Sequence, residues 1–245
     1  MSSIFNMSKY NLCLLLATLS LSICNAQTVP DGSDAQLNLN NLGNTGNATV
    51  RTFDNRYQGV EGSPFYNQQW LSGDVITIDD KIYRDVQLKY NAHEDELIMK
   101  KGTGNNPIYV VKDQVKSFTL TDTKSRVERF TKLYKGKKFV TKQYFKIVFE
   151  GSFSVYEEIK ITLLKADFEG GYSANRTSDE FKMASAFYYR MKNSYHAIKL
   201  KSSSAQVAKI FADKKNEMKA FIDSRQLDCK SAEGLAEVFA YYDGL

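Results

Sequence analysis

The amino-acid sequence predicts a mainly β (α+β) protein: an antiparallel up-and-down meander of about ten strands, followed by two or three C-terminal helices. Three observations support this fold class. Apolar and polar residues alternate between residues 70 and 201, clusters of Gly, Asn, Asp and Ser interrupt the alternation, and the last forty residues change to helical spacing. Periodicity does not specify curvature, so an open sheet and a partly open barrel are both compatible with the pattern.

The first 26 residues have the composition of a secretory signal peptide. Lys9 precedes an apolar run over residues 12–23, and Ala26 provides a small residue at the exit. Spanning a bilayer takes roughly 20 apolar residues, so this shorter run predicts a cleaved leader and an exported protein. Cys24 offers an alternative, because residues 21–24 resemble the cleavage box of a lipoprotein.

Residues 27–56 are predicted to form a flexible linker, and residues 57–245 a single domain. Asn, Gly, Thr and Asp dominate the linker, and large apolar side chains are sparse in it. A segment of this composition buries too little apolar surface to fold by itself.

The first half of the domain predicts a series of short strands. Ile76 and Ile78 share one face of a strand, and Asp79-Asp80 provides a hairpin connection to the next. Beyond that turn, one face is shared by Ile82, Val86, Leu88 and Tyr90. Further strands are predicted over residues 96–100, 108–111, 115–120 and 126–134.

The second half of the domain predicts two longer strands, over residues 139–149 and 155–164, joined by a turn at Gly151-Ser152. In the second of them, Val155, Ile159, Ile161 and Leu163 are expected to point inward, and Glu158, Lys160 and Thr162 outward. Strands over residues 181–190 and 195–201 close the series. Short connections between consecutive strands favour a meander.

Residues 203–245 predict the helical segment. Its apolar residues recur at helical spacing, as in the series Leu235, Val238, Phe239 and Tyr242. Ser203 or Ser204, Asp213 and Ser231 are candidate N-terminal caps. The apolar stripes are expected to pack against the sheet, with a groove-binding surface for a partner as the alternative.

Charge and cysteine content limit the classes of partner. Once the leader is removed, only Cys229 remains, so no intramolecular disulfide is expected. The net charge is +5, and residues 112–146 hold eleven Lys or Arg against three acids, a local excess of +8. Such a stretch is typical of a solvated strand face, and a surface for acidic lipid head groups is the alternative. Export argues against nucleic acid as a partner.

The sequence contains no motif typical of a catalytic, cofactor-binding or metal-binding site. His93 lies in a polar turn and His196 starts a strand, and neither has a second ligand at zinc spacing. The acidic pairs Asp79-Asp80 and Glu157-Glu158 are expected to be solvated turn and strand charges. We therefore expect no catalytic residue, no cofactor and no metal, and favour a binding protein over an enzyme.

Aromatic doublets give the strongest indication of a binding surface. On a strand, each doublet sends one ring to each face, which makes the outer face apolar as well. We predict a candidate binding surface from two doublets and three cations of the basic stretch: Tyr144, Phe145, Tyr188, Tyr189, Arg126, Arg129 and Lys132. Ordinary core packing of these rings is the alternative.

A set of short motifs extends over most of residues 60–245. It comprises Gly62-Ser63-Pro64-Phe65, Gly73-Asp74-Val75, Lys81-Ile82-Tyr83, the turn over residues 90–95, the segment 213–218 and Tyr241-Tyr242. Together these motifs resemble an uncharacterised family of exported β-rich cell-envelope proteins of Gram-negative bacteria, of the Bacteroidota type. The resemblance implies an envelope location and a β-rich fold, and it provides no catalytic residues.

These observations predict a non-catalytic periplasmic or outer-membrane-associated binding protein. Its partner would be another envelope protein or a lipid-like ligand, held by a concave aromatic face or by an exposed sheet edge, with peripheral membrane association. The alternative is a hydrolase acting on envelope polymers, with a carboxylate or Ser/His site assembled only in three dimensions. The sequence does not indicate the oligomeric state.

Overall fold

The computed structural model describes residues 56–100, 107–135, 138–139, 141–166, 178–192, 194 and 196–245. The leader, the lipidation alternative at Cys24 and nearly all of the predicted linker lie outside these residues. The strands are β1 (Leu71–Thr77), β2 (Ile82–Asn91), β3 (Glu96–Lys100), β4 (Pro107–Tyr109), β5 (Val115–Thr121), β6 (Val127–Thr131), β7 (Tyr134–Lys135), β8 (Lys138–Phe139), β9 (Phe145–Glu150), β10 (Phe153–Leu164), β11 (Glu180–Met191) and β12 (Ile198–Lys199). The helices are α1 (Ser204–Ala208), α2 (Lys215–Ser224) and α3 (Ala232–Asp243).

Ten of the described strands form one open antiparallel sheet, and this confirms the predicted fold class. The strand order is β12-β11-β10-β9-β6-β5-β1-β2-β3-β4, and β7 and β8 pair separately. One connection departs from a strict meander, because β5 returns from the β4 edge to pair with β1. Val110 holds this crossover against the sheet by donating its amide N–H to the Leu97 carbonyl over 2.8 Å.

Two predicted strands are shorter than expected, because side chains compete for their backbone groups. The strand expected over residues 139–149 is interrupted, and β9 begins only at Phe145. Before it, the Thr141 hydroxyl accepts the Leu133 amide N–H and donates to the Gln143 carbonyl, each over 3.3 Å. The strand expected over residues 195–201 shrinks to β12, since Ser194 Oγ binds both the amide N–H and the carbonyl of His196.

A β-bulge in β2 corrects the predicted faces of that strand. The register between β1 and β2 shifts at Gly73, and Asp85 in the inserted pair has a positive φ of 53°. The bulge reverses the alternation, so Val86 is buried whereas Ile82 is exposed. Ile82 therefore does not share the buried face of β2.

Gly73 also allows β1 and β5 to approach closely. A Cβ atom at this position would lie 1.9 Å from the backbone carbonyl oxygen of Thr119. Only a residue without a side chain fits there, so this glycine is required by packing against the neighbouring strand.

The sheet curves strongly, so that its inner face encloses the main core. His93 Nδ1 lies 2.9 Å from the Ile161 carbonyl oxygen, although four strands lie between β2 and β10 in the sheet. Residues 56–66, here named the strap, cross between the two halves: Glu61 pairs with Glu180 on β11, and Phe65 with Asn91 on β2. The enclosed core contains Val75, Leu88, Phe118, Phe130 and Ile161, among others.

The three helices cover the other end of the inner face. Leu235 and Phe239 of α3, together with Phe211 between α1 and α2, pack with Phe153 and Val155 of β10, as the helical spacing predicted. Among the described residues, no helix is long and apolar enough to cross a membrane.

The predicted helix caps are confirmed in part. Ser231 caps α3 by accepting the Gly234 amide N–H over 3.0 Å, and Ser203 is the N-cap of α1 without a side-chain bond. The N-cap of α2 is Lys214, so the expectation for Asp213 is wrong. The Asp213 carboxylate instead accepts the Tyr242 hydroxyl over 3.3 Å.

Candidate functional site

A cluster of polar side chains, here named the polar seam, lies on the inner face between the main core and the helices. It consists of Lys146, Glu157, Glu128, Tyr66 and Ser185. Cross-strand register places Lys146 between Phe130 of β6 and Glu157 of β10. Glu157 in turn pairs with Phe187 of β11. Charged residues thus occupy positions where the adjoining strands carry buried rings.

The seam is joined by short contacts around one ammonium group. Lys146 Nζ lies 2.7 Å from Glu157 Oε2 and 3.7 Å from Glu128 Oε1. Ser185 Oγ donates to Glu157 Oε1 over 2.6 Å, and the Tyr66 hydroxyl donates to Glu128 Oε1 over 2.8 Å. Both carboxylates therefore have a cation and a hydroxyl donor within reach.

Burial and charge shift the proton affinities of the seam. Burial by itself lowers the pKa of Lys146, but the hydrogen bond to Glu157 and the charges of Tyr66, Glu157 and Glu128 outweigh it and raise that pKa. Burial also raises the pKa of Tyr66, and Glu128 adds to the effect against the opposing charge of Lys146. Both groups therefore keep their protons at neutral pH, which suits a fixed binding surface better than proton transfer.

Strand β11 is covered at both ends of its inner face and exposed in the middle. Phe181 packs under the strap and Phe187 under the helices, and both are buried. Between them on the same face, Met183 and Ser185 are exposed, Met183 by 49%, although its cross-strand partner Ile161 is buried. The seam therefore reaches solvent at Ser185.

Among the described residues, none pairs with the outer side of β11 over residues 182–186, here named the open edge. Phe181 donates its amide N–H to the Glu61 carbonyl over 2.9 Å, and Phe187 accepts the Leu200 amide N–H over 2.7 Å. These contacts show that odd-numbered residues of β11 point their backbone groups away from β10. In the described part of the chain, nothing pairs with the outward amide and carbonyl groups of Met183 and Ser185.

A second polar cluster, the lysine cluster, surrounds Lys132 at the other end of the main core. Lys132 is only 2% exposed, and its Nζ donates to the Lys112 carbonyl oxygen and lies 4.9 Å from the centroid of the Tyr144 ring. Lys112 Nζ pairs with Asp95 Oδ2, and Asp95 Oδ1 accepts the Tyr90 hydroxyl over 2.7 Å. Burial lowers the pKa of Lys132 to about 8.

The predicted aromatic surface is divided between the two faces of the sheet. Tyr144 belongs to the enclosed core and Tyr189 packs against the helix-covered core. Phe145 and Tyr188 lie on the outer face, with ring centroids 5.6 Å apart in a T-shaped contact. Each doublet sends one ring to each face, as predicted, and the four rings do not form a single patch.

The three predicted cations also lie apart. Lys132 is inside, whereas Arg126 and Arg129 are exposed and paired with Asp122 and Glu150. Four cations of the basic stretch meet an acid from outside residues 112–146: Lys112, Lys116, Arg129 and Lys146 pair with Asp95, Asp80, Glu150 and Glu157 respectively. Acids from elsewhere in the chain therefore neutralise part of the local excess of charge.

The described surroundings of the histidines and acidic pairs show no metal-binding arrangement. The His93 ring is packed edge-on against Tyr57 and Phe181, and its Nδ1 lies against the Ile161 carbonyl. Over the described ranges, no group of three His, Cys, Asp or Glu side chains could hold a metal ion. The expectation that Glu157 is solvated is wrong, because this residue is only 8% exposed. Its alternation with Val155 and Ile159 already placed it on the inner face of β10.

Comparison of the chain with family models, with curated proteins and with solved structures finds no match. We therefore infer the function of the protein from the geometry of the site.

Proposed function

We propose that this chain is a non-catalytic periplasmic or outer-membrane-associated binding protein whose partner is another envelope protein, held at the open edge of β11. The observation that carries the proposal is that the backbone N–H and C=O groups of Met183 and Ser185 point away from β10 and pair with nothing in the described part of the chain. An exposed edge offers a row of directed donors and acceptors to an extended segment. The leader-like residues 1–26 and the resemblance described above support the envelope location.

A protein partner is favoured over a lipid-like ligand because aromatic side chains fill the enclosed core. The Phe118 and Phe130 rings stack with centroids 4.8 Å apart. The Tyr90 centroid lies 5.4 Å from each of them, and the Tyr144 centroid lies 5.0 Å from that of Phe118. An acyl chain entering there would have to displace these contacts.

The hydrolase alternative has one specific observation in its favour. The Glu157 and Glu128 carboxylates are both bound to Lys146, so the two bonded oxygens lie no more than 6.4 Å apart, the sum of the two distances. Paired carboxylates in retaining glycosidases are about 5–5.5 Å apart. The Lys146 ammonium, however, occupies the space between the two carboxylates, where the scissile bond of a substrate would have to lie. We therefore rank catalysis second.

The proposal is tested by photocrosslinking in the envelope of the native host. A benzophenone amino acid replaces Ala186 at one end of the open edge, and the control replaces Ala220, an exposed alanine of α2. We expect a discrete protein adduct from position 186 and not from position 220. A lipid adduct at 186, or the same adducts from both positions, would contradict the proposal.

A further inference from the structure

Resting on the proposed function, we propose that the open edge takes up a short extended peptide with an acidic residue at its centre, opposite Ala184. The backbone provides the first part of the argument. Met183 and Ser185 each direct one amide N–H and one carbonyl outward, so they can form four hydrogen bonds with an added strand.

The open edge has room only for a short peptide. The Glu61 carbonyl of the strap accepts the Phe181 amide N–H, and Leu200 donates its amide N–H to the Phe187 carbonyl. The five residues 182–186 lie between these contacts, and an extended strand of five residues spans about 16 Å. A second copy of β11 has twelve residues and would collide with the strap and with the segment around β12. The occupant is therefore a flexible extended segment and not the edge of another copy.

Two lysines on the outer face of the sheet beside the open edge favour an acidic side chain in the peptide. Lys160 pairs with Ala184 across β10 and β11, and Lys182 is the diagonal neighbour on the same face. Both lysines are exposed, and neither forms an ion pair within the part of the chain that the structure describes. Because Ala184 carries only a methyl group, a carboxylate of the added strand can reach both ammonium groups.

Acidic residues at the two ends of the open edge fix the register of the peptide. Glu180 lies beyond Lys182, and Glu158 pairs with Ala186 and accepts the Tyr188 hydroxyl over 2.8 Å. These acids repel a carboxylate that is displaced toward either end. On the inner face, the half-exposed side chain of Met183 offers an apolar contact to the residues on either side of the central acid.

A proline substitution isolates the backbone contribution. Ser185→Pro removes an outward N–H that no strand of the described protein uses, so the pairing of β10 with β11 stays intact. Ser185→Ala is the matched control, because it loses the same bond to Glu157 but keeps the N–H. The paired reversal Lys160→Glu with Lys182→Glu tests the charge.

The experiment selects binders for residues 27–245 from a displayed library of random seven-residue peptides. We expect enriched peptides with a central Asp or Glu flanked by apolar residues. Their binding should weaken at least tenfold in Ser185→Pro, less than twofold in Ser185→Ala, and at least fivefold in the double charge reversal. Protection of the Met183 and Ser185 amides from hydrogen exchange should accompany binding.

The inference is overturned if no peptide is enriched, if enriched peptides lack an acid, or if they bind Ser185→Pro as well as the unaltered protein. Concentration-dependent dimerisation that protects the same amides would overturn it in favour of self-association. A protein adduct at position 186 together with any of these results would leave the proposed function supported and refute only the acidic peptide.

Discussion

Because the ammonium group of Lys132 is buried, we expect the free energy of unfolding to rise with pH. The substitution Lys132→Met should remove the part of this rise that comes from Lys132. In the folded protein burial lowers the pKa of Lys132 to about 8, from an ordinary value of 10.5. Between these pH values the unfolded chain binds a proton that the folded protein has released, so raising the pH favours the folded state. Below pH 8 both states are protonated, and the full destabilisation by the buried charge is present.

The size of the effect follows from the two pKa values. Integrating the difference in bound protons from pH 7 to pH 10 gives about 2.5 kcal/mol of added stability. We measure the unfolding free energies of the unaltered protein and of Lys132→Met by urea denaturation. The value for the unaltered protein minus that for Lys132→Met should rise by that amount over this range. Titrations of other groups affect both proteins and cancel in the difference.

Lys124→Met provides the control, because Lys124 is exposed on the turn before β6. Its unfolding free energy should follow that of the unaltered protein at every pH. A difference for Lys132→Met that stays constant within about 0.5 kcal/mol from pH 7 to pH 10 would refute the reasoning, since it would mean that Lys132 titrates alike in both states.

Three further predictions concern the packing of the fold. Lys146→Met leaves the Glu157 carboxylate buried without its cation, and we expect the free energy of unfolding, measured by urea denaturation, to fall by about 3 kcal/mol. Adding Glu157→Gln should restore part of this loss, and no restoration would contradict the charge argument. Ser231→Ala removes the cap bond of α3 and should cost about 1 kcal/mol, whereas Ser203→Ala should cost almost nothing, because that cap has no side-chain bond; equal losses would count against it. Gly73→Ala drives a methyl group into a backbone carbonyl of the neighbouring strand and should cost more than about 3 kcal/mol or prevent folding; a thermal midpoint close to that of the unaltered protein would show that β1 can move away.

Much of the fold could be predicted because it depends on local spacing. Along β10, Val155, Ile159 and Ile161 are buried, whereas Lys160 and Thr162 are exposed, as alternation required. The same spacing separated the rings of each aromatic doublet, and helical spacing placed the apolar stripes of the last forty residues against the sheet. These features depend on neighbours within a few residues, so they are visible in the chain itself.

The candidate site depends on contacts between distant residues, and only the tertiary structure decided it. Glu128, Lys146 and Glu157 come from three strands, and the curvature and register of the sheet bring them to one ammonium group. Register slips by one residue at a bulge, as at Asp85, and each slip moves a side chain to the other face. Within the described ranges, the open edge arises because the strap and the segment before α1 stop short of each other along β11. Alternation within β11 alone carries no information about which neighbours its outer edge will meet, because strand pairing is decided by packing across the whole sheet.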